Sequence, residues 1–368
     1  MKTIAVCLLS LYALPAAAQT VETKYDKGFV VATTDGKFEL KTGIRSQLRL
    51  ESRKVIDGGE FTSAFMLPRV RLQFEGFAYG KDNAYKLEFE AANKGFSVLK
   101  DFYVDHAFSE QLHLRVGQWK KPINRQEMVS DFSSDFLERS ITNEFIGGGR
   151  DQGVALHNNY DKSPEGVEWA VGVFNAGSDK PSFTAAIDCT DPMDATTCTV
   201  TPKQPTTVPA DFGPMLVGRV GFNKGGIKGY SDADLEGGPL RFAVAASYKV
   251  NLGDLDEDAQ QHAAVADAMV KVNGISVLAA GFVRKDGPAD VLVGALLQPG
   301  YVIARQYEVA GRFAFHDEGD ARRVEMLAGF TRFFEGHNYK WNSDAGVVHV
   351  TGVKDAQLQI RTQLQLVF

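Results

Sequence analysis

The chain of 368 residues carries 40 Lys and Arg against 46 Asp and Glu, a net charge of −6, with 36 Gly and 25 Phe. That balance argues against a general nucleic-acid partner. Beyond residue 18 no run of about eighteen apolar residues occurs, so no helix of membrane-spanning length is expected, and no composition break divides the chain into domains.

Met1-Lys2 gives a positive start, Ile4 to Leu14 is apolar, and Ala16-Ala17-Ala18 supplies small residues before Gln19-Thr20. This predicts a secretory signal peptide over 1–18, cleaved after Ala18. Cys7 lies inside the apolar stretch and no Cys follows the cleavage site, so a lipoprotein is disfavoured. Residues 19–36 read as a short periplasmic segment, too short for a plug domain.

From residue 37 the chain alternates with period two. In Lys37–Arg53 the odd positions are mostly charged, while Phe38, Leu40, Ile44, Leu48 and Leu50 hold even positions. At the far end Gln357, Gln359, Arg361, Gln363 and Gln365 alternate with Leu358, Ile360, Leu364, Leu366 and Phe368. Successive strand residues face opposite sides, so each strand has one polar and one greasy face. The expected strands are 38–51, 64–79, 83–92, 97–108, 111–119, 150–160, 167–175, 214–223, 240–250, 264–273, 276–285, 289–298, 305–316, 322–334, 338–349 and 357–368. Many run about 10–12 residues, the length of a tilted membrane strand, and their greasy face is rich in aromatics. Sixteen is an even number, as outer-membrane barrels have. The fold class is therefore all-β: a transmembrane antiparallel β-barrel of sixteen strands over 37–368.

With the amino terminus inside, the long inserts 120–149 and 176–213 fall on the extracellular side. The connection 224–239 fits poorly, being long for a periplasmic turn. The insert 120–149 follows the fifth strand and carries Lys120, Lys121, Arg125 and Arg139. It folds either into the lumen, narrowing it, or over the rim. Cys189 and Cys198, close together in the second insert and bound for an oxidising space, predict a loop-closing disulfide; no His or third Cys accompanies them as in a metal site.

A barrel of sixteen strands leaves an aqueous lumen lined by the polar phase. That phase places Arg45, Arg49, Arg69, Arg71 and Arg115 inside, within a mildly basic set that favours anions. Carboxylates on facing strands pair with most of them.

Several stretches resemble the phosphate-selective porin O/P family: Phe65-Met-Leu-Pro-Arg-Val-Arg-Leu-Gln-Phe-Glu-Gly76, Tyr85-Lys-Leu-Glu-Phe89, Leu99-Lys-Asp-Phe-Tyr-Val104 and Leu114-Arg-Val-Gly-Gln-Trp-Lys-Lys-Pro122. Phe136-Leu-Glu-Arg-Ser140, Gly149-Arg-Asp-Gln-Gly153 and Trp169-Ala-Val-Gly-Val-Phe-Asn175 continue the likeness, which is best over 60–178. The resemblance implies a homotrimer of sixteen-stranded barrels in the bacterial outer membrane, with an inward-folded third loop and inward cations that pass phosphate-like anions. By position, Arg69 and Arg71 match the basic wall motif, Arg125 and Arg139 the constriction loop, and Arg150 its exit. Pro68-Arg69 stands where the family commonly has two arginines. No cofactor is implied. The functional reading is passive diffusion of small hydrophilic solutes with anion preference. The competing readings are a barrel enzyme or a structural, adhesive role. For an enzyme, the seven histidines are scattered and no Gly-x-Ser-x-Gly elbow occurs.

Overall fold

The computed structural model describes residues 21–92, 98–176, 184–189, 198–203, 213–253, 260–352 and 356–368. The signal peptide expected over 1–18 lies outside the described residues. Two short strands come first, β1 (Val21–Tyr25) and β2 (Phe29–Thr33). The next seven are β3 (Phe38–Val55), β4 (Thr62–Ala78), β5 (Asn83–Glu90), β6 (Val98–Ser109), β7 (Leu112–Lys120), β8 (Arg150–His157) and β9 (Gly166–Phe174). A separate hairpin, β10 (Thr184–Cys189) and β11 (Cys198–Lys203), lies within the 176–213 insert. Then follow β12 (Met215–Lys224), β13 (Arg241–Asn251), β14 (Gln261–Val272), β15 (Ile275–Asp286) and β16 (Leu292–Ile303). β17 (Tyr307–Glu318), β18 (Ala321–Glu335), β19 (Tyr339–Val350) and β20 (Gln357–Val367) complete the chain.

Strands β3 to β9 and β12 to β20 form sixteen antiparallel neighbours, with β9 paired to β12 and β20 returning to β3 to close the cylinder. Closure leaves no sheet edge to lipid, which a membrane-spanning sheet requires. All sixteen expected strands are present. The largest difference is at β16, which ends at Ile303 rather than at 298. The alternation explains the faces: along β20, Gln359, Arg361, Gln363 and Gln365 are buried while Ile360, Leu364 and Leu366 are exposed. Phe102, Phe222, Tyr248, Phe313, Phe330 and Trp341 join them on the outer surface.

Three features depart from the sequence reading. Residues 19–36 are not a plain lead-in, because β1 and β2 form a hairpin that pairs with the first residues of β3 (Phe29 opposite Thr42). β20 takes over that edge of β3 from Arg45 onward. The second departure is a bulge between β3 and β4, where Gln47 faces Arg69 but Arg49 faces Met66. Pro68, with no N–H to give a ladder, falls in that gap.

The third is the inner wall itself. It is not polar throughout: Val265, Met269, Leu278, Ala280, Phe282, Leu296 and Ala314, on β14 to β17, belong to the buried phase and form one apolar cluster. Here both faces are greasy, so alternation alone assigns too much charge to the lumen.

Candidate functional site

The apolar inner sector is covered by residues 121–149. Ile123, Phe145 and Ile146 pack into the same cluster as Met269 and Phe282. The segment holds two short helices, α1 (Arg125–Met128) and α2 (Ile141–Phe145). Asn124 caps α1, its side chain accepting from the Gln126 backbone N–H at 3.2 Å. From β7 the segment crosses the barrel: the Leu137 N–H donates to Asp344 on β19 at 3.1 Å, and Gln365 on β20 donates to the Phe132 carbonyl at 2.8 Å. Phe136 lies against Gly329 of β18, where a Cβ would come within 3.1 Å of its ring. One segment reaching β14, β18, β19 and β20 through their buried phase must lie inside the cylinder. Of the two sequence alternatives, lumen or rim, the lumen is occupied.

A second insert enters from the opposite mouth. Residues 225–240 join β12 to β13, and their length is explained by where they go. Tyr230 donates to Glu168 at 2.9 Å, with the Arg125 guanidinium stacked 5.0 Å above its ring. Asp232 accepts from the Ser134 hydroxyl at 3.0 Å and the Asp135 N–H at 3.3 Å, joining this turn to the 121–149 loop. Lys271 on β14 donates to the carbonyls of Lys228, Ser231 and Ala233.

The structure divides the sequence-selected cations into three groups. Arg45, Arg71, Arg115 and Arg150 line a common cavity of about 140 Å³ with Lys86 and Lys120. Within it Glu88 is approached by Arg45 (3.5 Å), Arg71 (3.4 Å), Lys86 (3.8 Å) and Arg150 (3.4 Å). Asp101 takes Lys86 at 3.0 Å and Arg150 at 2.7 Å. Arg115 donates to Asp105 at 2.7 Å and Asp161 at 3.1 Å, and lies 4.5 Å over the Tyr103 ring.

The second group ties down the loop. Arg49 and Arg69 meet Glu138 at 2.8 and 2.6 Å. Asp131 receives Arg69 (3.4 Å), Arg71 (2.8 Å) and Arg139 (2.7 Å). Burial works against the Asp131 charge, but Arg139, Arg69 and Arg71 together hold its carboxyl well below the usual range. Arg139 also donates to the carbonyls of Gln126, Glu127 and Val129. Lys121, at the start of the loop, sits 3.9 Å from Asp151.

The third group is Arg125, which is fully buried and pairs with Asp267 at 2.6 Å beside Arg219. It anchors α1 to β14 and reaches no open space. Cys189 and Cys198 are register partners in the β10–β11 hairpin, while their side chains lie outside what the structure describes.

The open space follows the β3–β8 side. Below the 140 Å³ cavity, a vestibule of about 500 Å³ shares Lys86, Tyr103, Arg115 and Asp161 with it, and adds Lys24, Asp26, Lys41, Glu75 and Asp105. The β1–β2 hairpin thus forms part of this mouth. Sequence reasoning put Lys86 and Glu88 in the inward polar phase but left Asp131 and the whole 225–240 turn out of the site. For the turn the signal was present, since its length did not suit a short-turn end.

No curated protein matches the chain in sequence. Among solved structures, the anion-selective porin from Comamonas acidovorans aligns with a TM-score of 0.58 at 11% identity, covering 90% of this chain and 100% of that one. OprB of Pseudomonas putida aligns with 0.59 at 11% identity, covering 93% and 95%. OmpF of Salmonella typhi aligns with 0.59 at 11%, covering 94% and 100%. At such identity these show a shared fold. The model of the phosphate-selective porin O and P family matches residues 20–222, more than half of the chain. A family of channels and a closed membrane barrel point to passage rather than catalysis, so the chain belongs to the phosphate-selective porin O and P family and is a porin of the bacterial outer membrane, a channel for small solutes.

Proposed function

We propose that this porin favours small anions through the field of its lining, without a tight phosphate site. One observation carries this reading. The narrow cavity presents six cations (Arg45, Arg71, Lys86, Arg115, Lys120, Arg150) against three carboxylates (Glu88, Asp101, Asp161), and most of those cations already hold a carboxylate within 4.0 Å. Glu90, Asp105 and Asp131 stand behind the lining and bring the carboxylates level with the cations in number, so the basic excess is confined to the groups that face the cavity. A phosphate entering there has to displace existing ion pairs, whereas a passing anion only meets the cations that line the cavity wall. The anion selectivity named for the Comamonas acidovorans porin agrees with this direction. The same reading takes the chain as mature after Ala18, with the 121–149 and 176–213 connections outward and three barrels associating.

Reversal potentials in a potassium chloride gradient across planar bilayers test it. A permeability ratio favouring chloride, unaltered by sub-millimolar phosphate, is the expected result. Cation preference overturns the anion reading, and phosphate block of the chloride current replaces it with a true binding site.

A further inference from the structure

Where the 121–149 loop, the 225–240 turn and the barrel wall meet, the charge arrangement is unlike the rest of the lumen. Asp135 of the loop, Asp232 of the turn and Glu308 of β17 are each at most 3% exposed. None of the ion pairs among the described residues reaches them, although nearly every other buried carboxylate named above has a cation within 4.0 Å. Gln298 of β16 donates to both Asp135 Oδ2 and Asp232 Oδ2 at 3.2 Å. Asp135 Oδ1, Asp232 Oδ1 and both Glu308 oxygens have no partner, and neither has the hydroxyl of Ser276, itself 2% exposed.

Gly300 shows how these groups converge. A Cβ there would lie 2.8 Å from Ser276 Oγ, 3.1 Å from Glu308 Oε1 and 3.5 Å from Asp135 Oδ2. The missing side chain leaves a small polar space ringed by two carboxyls and a hydroxyl. Among the described residues no group of three or more His, Cys, Asp and Glu side chains is arranged to hold a metal ion, so a proton is the simplest way to relieve the repulsion.

We propose that Asp135, carrying its own proton beside Glu308, latches the 121–149 loop docked across the lumen, and that losing that proton loosens it. Every element around the junction bears on the balance. Asp232 repels Asp135 from the turn, while Lys340 of β19 opposes that; its Nζ donates to the Ser134 carbonyl at 2.8 Å and lies 3.5 Å from His337 Nδ1. Lys271 of β14 is spent on three turn carbonyls, and Arg312 of β17 donates to the Gln298 oxygen at 2.9 Å.

Burial, and then the Asp232 charge, push the Asp135 carboxyl from its ordinary 3.8 up to about 7. The sign follows. Below 3.8 the docked and released loops both hold the proton, and docking is at its tightest. Between the two values the docked loop keeps a proton that a released loop gives up, so docking weakens as pH rises. Above about 7 it is weakest.

Single-channel conductance of the full barrel in planar bilayers, stepped from about pH 5 to about pH 9 across the expected transition, tests the latch. Conductance and open-channel noise should rise with a midpoint near 7. Asp135→Asn, which keeps shape and removes the titrating group, should stay at the low level throughout, whereas Glu308→Gln, which changes only its neighbour, should keep a transition at a shifted midpoint. Asp232→Asn should keep the transition and move its midpoint down. A flat wild-type profile overturns the proposal, as does a wild-type profile retained in Asp135→Asn. The anion reading above rests on the other side of the lumen and is read from reversal potential, so either inference can fail alone.

Discussion

Between β3 and β8 the inner wall is a lattice of paired charges; between β14 and β17 it is largely small and apolar. Both sectors lie on the same face of the same closed sheet, yet they do different work. Glu88, ringed by Arg45, Arg71, Lys86 and Arg150, is a buried charge held by its partners, of which Arg45 and Lys86 border the open cavity. Met269, Leu278, Phe282 and Leu296 cannot face water at no cost, so Ile123, Phe145 and Ile146 come down on them. The apolar sector gives the loop its seat, the charged sector ties Asp131 and Glu138 of the loop to β3 and β4, and the anion preference proposed above is assigned to that same charged sector.

The sharpest way to break this division is at its seam. Asp267 of β14 faces both Arg125 of the loop and Arg219 of β12, all of them buried. Asp267→Ala leaves two guanidiniums partly uncompensated and should cost about 3–5 kcal/mol. Its measure is the temperature at which the folded barrel in detergent loses its compact mobility. A variant as heat-resistant as the parent would show that the loop is not anchored there.

A smaller effect is expected inside the apolar sector. Ile146, fully buried in the cluster, has no charged role, and Ile146→Ala should weaken docking by about 2–4 kcal/mol. The barrel itself should persist, so the readout is larger and noisier single-channel conductance at unchanged ion selectivity. If selectivity moved instead, the two sectors would not be separable.

The smallest change in stability, and the most specific in function, belongs to the charged sector. Lys86 has a side chain 22% exposed in the cavity and bridges Glu88 and Asp101. Lys86→Gln should cost about 1–3 kcal/mol, held at the low end because Glu88 keeps Arg45, Arg71 and Arg150 and Asp101 keeps Arg150. It should move the reversal potential toward cations while leaving conductance near that of the parent. An unmoved reversal potential would place the selectivity elsewhere along the path.

How far the sequence could be read varies sharply by region. For β20 the alternation of Gln359, Arg361, Gln363 and Gln365 with Ile360, Leu364 and Leu366 was sufficient, because one face meets lipid and the other polar groups. For β14 it was not. Val265 and Met269 sit in the inward phase beside Asp267 and Lys271, and only the loop packed over them explains why they are tolerated. The candidate arginines were legible as inward groups on β3, β4 and β7, but their partners were not. Arg69 and Arg71 converge on Asp131, some sixty residues away, and Arg125 on Asp267, more than a hundred residues away.

The period-two pattern, the strand lengths and the stretches shared with the family are local properties, and they determined the closed barrel, its sixteen strands and its membrane setting. Which carboxylate each arginine holds, that residues 225–240 rise into the lumen, and that Asp135 meets Glu308 and Asp232 were decided only by the folded cylinder. The reason is physical: strand alternation depends on neighbours two residues apart, whereas pairing in a desolvated lumen depends on groups that only closure of the barrel brings within a few ångströms.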